Sequence, residues 1–135
     1  MTPVQLAAVA AGALMAVTVA FQLALAAGMP WGDATMGGRA RHVDGVLAPP
    51  YRVMALLSAV LLAVAALIVV SRAGVVDMGL PDPVRLIGTW LVVAFSILNT
   101  LTNLSGRHPL ERFGFSAITL AVAILAAYVA LAAPA

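Results

Sequence analysis

The sequence predicts an all-α protein: a four-transmembrane-helix bundle running up, down, up and down. Three observations carry that prediction. Of the 135 residues, 64% are hydrophobic and 9% are charged, against the roughly 25% charged of a soluble domain. So few charges cannot cover a water-facing surface. The apolar residues fall into four runs, each close to the about 20 residues that a membrane-crossing helix needs. The connections between the runs are short or dense in Gly, Pro and Asp, residues that interrupt regular structure. The chain is read as a single integral membrane domain over 1–135.

In the first run, 4–27, the only polar side chains are Gln5, Thr18 and Gln22. Ala24-Leu25-Ala26 has the form of a signal-peptidase site. The run nevertheless lacks a basic leader, and its apolar core exceeds the ~7–15 residues of a signal peptide, so a retained helix is expected. The segment 28–50 is the longest connection and reads as a loop, bracketed by Trp31 and Tyr51 as interfacial aromatics. The second span, 51–70, is flanked by Arg52 and Arg72. A turn-rich connection, 71–83, ends in Pro81-Asp82-Pro83. The third span, 84–104, has Arg85 near its start, and 105–109 is a tight turn. Pro109 is suited to be the first residue of the next helix, with Glu111 favouring the positive dipole end in the first turn. The fourth span is 112–131.

Four spans put both termini on one side, together with the connection 71–83. Arg39, Arg41, Arg52, Arg107 and Arg112 lie near the opposite side, and Arg72 and Arg85 near the termini. The excess of positive charge places loops 28–50 and 105–109 in the cytoplasm and both termini outside, in a plasma or inner membrane.

Polar residues are uneven in depth. At a 1.5 Å rise per residue, Gln22 and Asn99 each lie roughly 7 Å inside the span ends on the loop 28–50 side. Thr18, Ser58, Ser96, Thr100, Ser116 and Thr119 occupy the same half, while the other half is almost entirely Ala, Val, Leu and Ile. On the third span, Ser96, Asn99 or Thr100, Asn103 and Arg107 recur every three or four residues and share a face. An amide facing lipid is costly, so that face points into the bundle. Two uses are open to it. The amides Gln22, Asn99 and Asn103 can tie helices together by hydrogen bonds. Alternatively, Gln22, Ser58, Asn99 and Asn103 line a shallow polar vestibule for a small ligand or a lipid headgroup.

Around that opening, Arg39, Arg41, Arg52, Arg107, His108, Glu111 and Arg112 form a charged rim. Glu111 can pair with Arg107, Arg52 or Arg39. The arginines are suited to anchor on lipid phosphates or to bind an anionic headgroup. His42 and His108 fall on the same face, but no ligand spacing such as HExxH joins them to Asp33, Asp44 or Glu111, and no metal site is expected. The absence of cysteine excludes disulfides, thiolate metal sites and a Cys nucleophile. Neither histidine lies within a span, where a haem would be held, and nothing in the chain calls for a cofactor. No nucleophile elbow accompanies the Ser, His and Asp residues, so no catalytic residue is assigned. The net charge of +2 comes from arginines scattered at helix ends, which excludes a nucleic-acid partner. No ionisable residue sits in the middle of any span, which argues against proton-coupled export.

GMPWGDATMGGR in the first loop and NLSGRHPLER between the third and fourth spans resemble a group of short four-span bacterial membrane proteins, with actinobacterial genomes the expected setting. The pattern involves Gly28, Pro30, Trp31 and Gly32, then Asn103, Ser105, Arg107, Pro109, Glu111 and Arg112. His108 and Leu110 around the proline depart from the simpler R-x-P-E-R form. The resemblance implies the four-span architecture and supplies no activity. The expected function is that of a non-enzymatic accessory bundle whose partners are membrane lipids, further copies of itself or another membrane protein. A small oligomeric transporter or channel is the alternative, and a membrane enzyme on a lipid or isoprenoid, using His108 and Glu111, is the third.

Overall fold

The computed structural model describes residues 1–134 and shows four long helices packed side by side. These are α1 (Pro3–Ala27), α2 (Pro49–Arg72), α3 (Asp82–Leu104) and α4 (Ser116–Ala132), the last preceded without a break by a π-turn over Leu110–Phe115. All four are long and apolar enough to cross a membrane, with the π-turn counted into the fourth. The chain therefore has the build of a multi-pass membrane protein.

Proline marks each helix start, where its missing N–H costs nothing and its fixed φ suits the first turn. Pro3 opens α1, Pro49 and Pro50 open α2, Pro83 follows Asp82 into α3, and Pro109 leads into the π-turn. Thr2 and Gln5 form a reciprocal capping box on α1, with Gln5 N donating to Thr2 Oγ1 at 3.2 Å and Thr2 N to Gln5 Oε1 at 3.0 Å. The helices run slightly beyond the expected spans for this reason: hydropathy marks the apolar stretch, whereas caps and prolines mark the helix.

Three arginines serve the opposite ends. The last carbonyls of a helix lack intrahelical donors and carry the negative end of the dipole. Arg52 Nε donates to Ala26 O at 2.9 Å, closing α1. Arg85 donates to Ser71 O at 3.1 Å, at the end of α2, and also pairs with Asp82. Arg72, itself buried, donates to Ala133 O at 2.8 Å and Pro134 O at 2.6 Å, just past α4. Each bond crosses from one helix to the end of another, so these guanidinium groups act as struts.

Helices adjacent in the chain are neighbours in space, and α1 also packs on α4, closing a ring in which α2 and α4 are diagonal. This is the up-down-up-down bundle. Its main core lies toward the termini and is built of small side chains, among them Ala8, Ala11, Val69, Val92, Ala126 and Val129. Gly88 brings α3 close to α2 there: a Cβ on Gly88 would stand 2.9 Å from Ile68 Cγ2. A second apolar cluster sits at the other end, where Leu25, Ala40, Leu47 and Ala55 pack with Phe21, Met36 and Tyr51.

The connection 28–50 is more ordered than its composition suggested. It contains two short 3-10 turns, Gly32–Ala34 and Met36–Gly38, and a two-stranded hairpin, β1 (His42–Val43) with β2 (Val46–Leu47). The hairpin turns on Asp44-Gly45, both at positive φ (50° and 81°), the backbone that a two-residue turn between twisted strands requires. A Cβ on Gly45 would also come within 2.5 Å of Pro30 O. The loop folds back through this contact and Gly32 N–Gly45 O (2.7 Å).

Candidate functional site

A cavity of about 260 Å³ lies between the two apolar clusters and draws its walls from all four helices and from the loop. α3 contributes Ser96, Asn99 and Asn103, at the three- and four-residue spacing that shares a helix face. α1 contributes Thr18, Phe21 and Gln22, and α2 contributes Ser58, Leu61 and Leu62. Glu111 and Phe115 from the π-turn and Ile118 and Thr119 from α4 complete the ring. Ala34 and Thr35 roof it from the loop. Met15 and Val122 line it and also belong to the main core, so the Ala/Val core is its floor. The vestibule residues Gln22, Ser58, Asn99 and Asn103 thus share one space.

The amides do not act as helix ties. Among the described residues, the side-chain hydrogen bond that joins two helices through hydroxyls is Thr100 Oγ1 to Thr119 Oγ1, 2.8 Å, and no hydrogen bond is made by the side chains of Gln22, Asn99 or Asn103. Gln22 Oε1 is buried without a partner. The physical reason is direction: Gln22, Asn99 and Asn103 line the cavity, whereas Thr100, one residue on from Asn99, meets Thr119 across the α3–α4 seam.

Glu111 departs most from expectation. It is not part of an exposed rim and pairs with none of Arg107, Arg52 or Arg39. It is 5% exposed, and its Oε1 accepts from Gly37 N at 2.9 Å. Its Oε2 is buried with no partner. That oxygen lies against Gly106, where an added Cβ would come within 2.5 Å of it. The carboxyl therefore joins the fourth helical segment, the roofing loop and the 105–109 turn. The π-turn is the local cause: Ser116 N bonds Glu111 O, five residues back, and such wide turns often mark functional positions. The helix face Glu111–Phe115–Thr119–Val122 carries the signal that would have placed it, since those positions are four, four and three apart.

The remaining rim residues separate by role. Arg52 is half-buried and closes α1. Arg39, Arg41, Arg107 and Arg112 are exposed and enter no ion pair among the described residues. Arg112 lies over the Phe113 ring at 5.6 Å. His108 Nδ1 accepts from Leu110 N at 3.2 Å, acting as a local cap, and no hydrogen bond links it to Glu111. His42 Nε2 meets Asp33 Oδ1 at 2.9 Å. Among the described residues no three His, Asp or Glu side chains come together as a metal site would require. Trp31 stacks on Phe21 at 5.9 Å between centroids, and Phe21 meets Phe115 at 4.6 Å. This aromatic series pins the loop to α1 and the π-turn beside the cavity. Tyr51 packs into the loop-side cluster.

The cavity opens sideways. Leu61 and Phe95 line it yet are 66% and 47% exposed, whereas Met15, Phe115 and Val122 on α1, the π-turn and α4 are buried. The mouth therefore lies between α2 and α3, the least extensive of the four seams between neighbouring helices. Those helices touch closely at Gly88–Ile68, and the cavity lies on the loop side of that contact. Fold and site together define a small helical bundle of membrane-crossing build with a laterally open cavity of mixed polar and apolar lining on the loop side of the main core. Compared with known protein families, curated proteins and solved structures, the chain matches none.

Proposed function

We propose that this protein is a non-enzymatic membrane bundle that receives the polar end of a membrane amphiphile, admitted from the lipid through the α2–α3 mouth. The observation that carries the proposal is a cavity running from the loop to the middle of the bundle, whose amides hold no protein partner and whose exposed wall is Leu61 and Phe95. An unpaired polar group buried in hydrocarbon costs several kcal/mol, on the order of 2–7 in model transfers. A bundle with a polar pocket opening onto lipid is relieved of that cost when a headgroup or its water fills the pocket. The cavity volume of about 260 Å³ equals that of eight or nine waters at roughly 30 Å³ each. That accommodates a small headgroup with the first carbons of its tail.

In this reading the protein sits in a plasma or inner membrane with loops 28–50 and 105–109 on the cytoplasmic side, both termini outside, and exposed Arg39, Arg41, Arg107 and Arg112 among lipid phosphates. Lipids are its first partners, and further copies or another membrane protein engage its outer faces. Photolysis of a lipid carrying a diazirine beside its headgroup tests the proposal, with adducts mapped by mass spectrometry. Labelling of Ser58, Asn99 and Thr119 is expected. Adducts confined to outward residues such as Leu57 and Leu98 overturn it.

A further inference from the structure

We infer that the cavity selects a protonated amine on an apolar tail, with Glu111 as its counter-charge. This rests on the reading of the cavity as an amphiphile site and assigns the chemistry of the headgroup.

The sign of the lining comes first. Glu111 is the one ionisable residue among those that line the cavity. Every arginine lies elsewhere: Arg52, Arg72 and Arg85 donate to helix ends, and the other four are exposed outside. An anionic headgroup would thus meet a carboxyl and no cation once inside. The anionic-headgroup site suggested by the arginines in the sequence is confined to the outer surface.

The carboxyl also has hydrogen-bonding capacity to spare. A carboxylate accepts through two oxygens with about four lone-pair positions. Glu111 has one donor, Gly37 N, on Oε1, and none on Oε2, although the residue is only 5% exposed. Gln22 Oε1 is a second buried acceptor without a donor. Thr100 and Thr119 spend their hydroxyls on each other and on backbone carbonyls. The amides of Gln22, Asn99 and Asn103 both donate and accept, so the carboxyl is what sets the sign of the site, and a positively charged group with N–H donors complements it. A primary ammonium offers three donors on a compact head. The rest of the lining is apolar. Phe95 and Leu61 continue the cavity toward the mouth, which suits an alkyl tail leaving between α2 and α3.

The shared chemistry can be supplied by an aminophospholipid or by a free long-chain amine, and the test separates them. The full chain is placed in phosphatidylcholine nanodiscs and titrated with dodecylammonium, dodecanol, dodecyltrimethylammonium and dodecyl sulfate, with empty discs as the partition control. Bound probe is counted by native mass spectrometry. Dodecylammonium is expected to bind about tenfold more tightly than dodecanol, the factor that a charge-assisted hydrogen bond of ~1.4 kcal/mol confers. The trimethyl probe, which lacks N–H donors, and the sulfate are expected to lose that advantage. Glu111→Gln keeps an acceptor for Gly37 N and should bring amine and alcohol within about twofold of each other. The wild-type probe series stands without the variant. In mixed discs, enrichment of phosphatidylethanolamine over phosphatidylcholine assigns the amine to a lipid headgroup, and selectivity seen only with dodecylammonium assigns it to a free amine.

Equal or tighter binding of dodecanol or dodecyl sulfate by the wild type overturns the inference. If diazirine lipid still labels Ser58, Asn99 and Thr119, the amphiphile site stands and only its amine selectivity falls. Loss of that labelling removes both.

Discussion

Glu111 shows how much a single side chain can organise in so apolar a chain. Its Oε1 holds the loop at Gly37 N, and its Oε2 rests against Gly106. Gly106 is buried, and its lack of a side chain is what lets the carboxyl lie there. Gly106→Ala would push a Cβ to 2.5 Å from Oε2 and 2.9 Å from Asn103 O. Overpacking of this kind costs about 1–3 kcal/mol, so the variant should melt at lower temperature in detergent and lose protection of the Gly37 amide in hydrogen exchange. An unchanged melt with unchanged protection would show that the carboxyl moves aside freely. The residue was visible in the sequence as the one glutamate at a helix start. Its burial was not, because whether a carboxyl at the first turn faces water or a cavity depends on what the loop 28–50 places above it.

At the scale of elements, helix ends and helix seams obey different chemistry. Arg72 reaches two carbonyls beyond α4, so Arg72→Ala leaves both without a donor. Hydrogen bonds to a charged group contribute roughly 1.5–3 kcal/mol, and a thermal melt should register a loss of that order. Arg72→Lys should recover only part, since an ammonium lacks the rigid two-nitrogen fork whose separate nitrogens reach the two carbonyls. The α3–α4 seam is tied by Thr100 and Thr119. A double-mutant cycle with Thr100→Val and Thr119→Val should give a coupling near the ~0.6 kcal/mol average of such bonds in membranes, and below about 1.7. A coupling of zero would mean that the seam is held by packing alone. These pairings join residues 61 and 19 positions apart, beyond the reach of helical periodicity, and no local spacing announces them. The hairpin at Asp44-Gly45 is the opposite case: a two-residue turn signal stood in the sequence, masked by the many other glycines of that loop.

For the whole molecule, the decisive feature is asymmetry along the bundle axis. One end is a close-packed Ala/Val core and the other a polar cavity under a folded loop. With Met15 and Val122 as floor, passage across the bundle would require that core to part. Proteoliposomes carrying the protein should therefore show solute flux no greater than empty vesicles over a broad panel, and measurable flux would favour the transporter alternative. The orientation has its own check. A reporter fused at the C-terminus should be inactive in the cytoplasm and active outside, and cytoplasmic activity would invert the assignment drawn from the arginines.

The sequence by itself determined the four helices, their order and the polar half of the bundle. Each rests on short-range physics: about 20 apolar residues span a hydrocarbon layer, and Ser96, Asn99 and Asn103 share a face because a helix turns every 3.6 residues. Only the tertiary structure decided what the polar groups meet. The same amides that suit a helix tie stand around a cavity, on the loop side of the close α2–α3 contact at Gly88. The arginines that resembled an anion rim divide into three struts and four exposed charges. Glu111 leaves the rim for the interior because the Gly37 amide is its partner. Local periodicity fixes which side of a helix a residue occupies, but the spacing between helices, and with it the difference between a bond and a cavity, is set by contacts among residues distant in the chain.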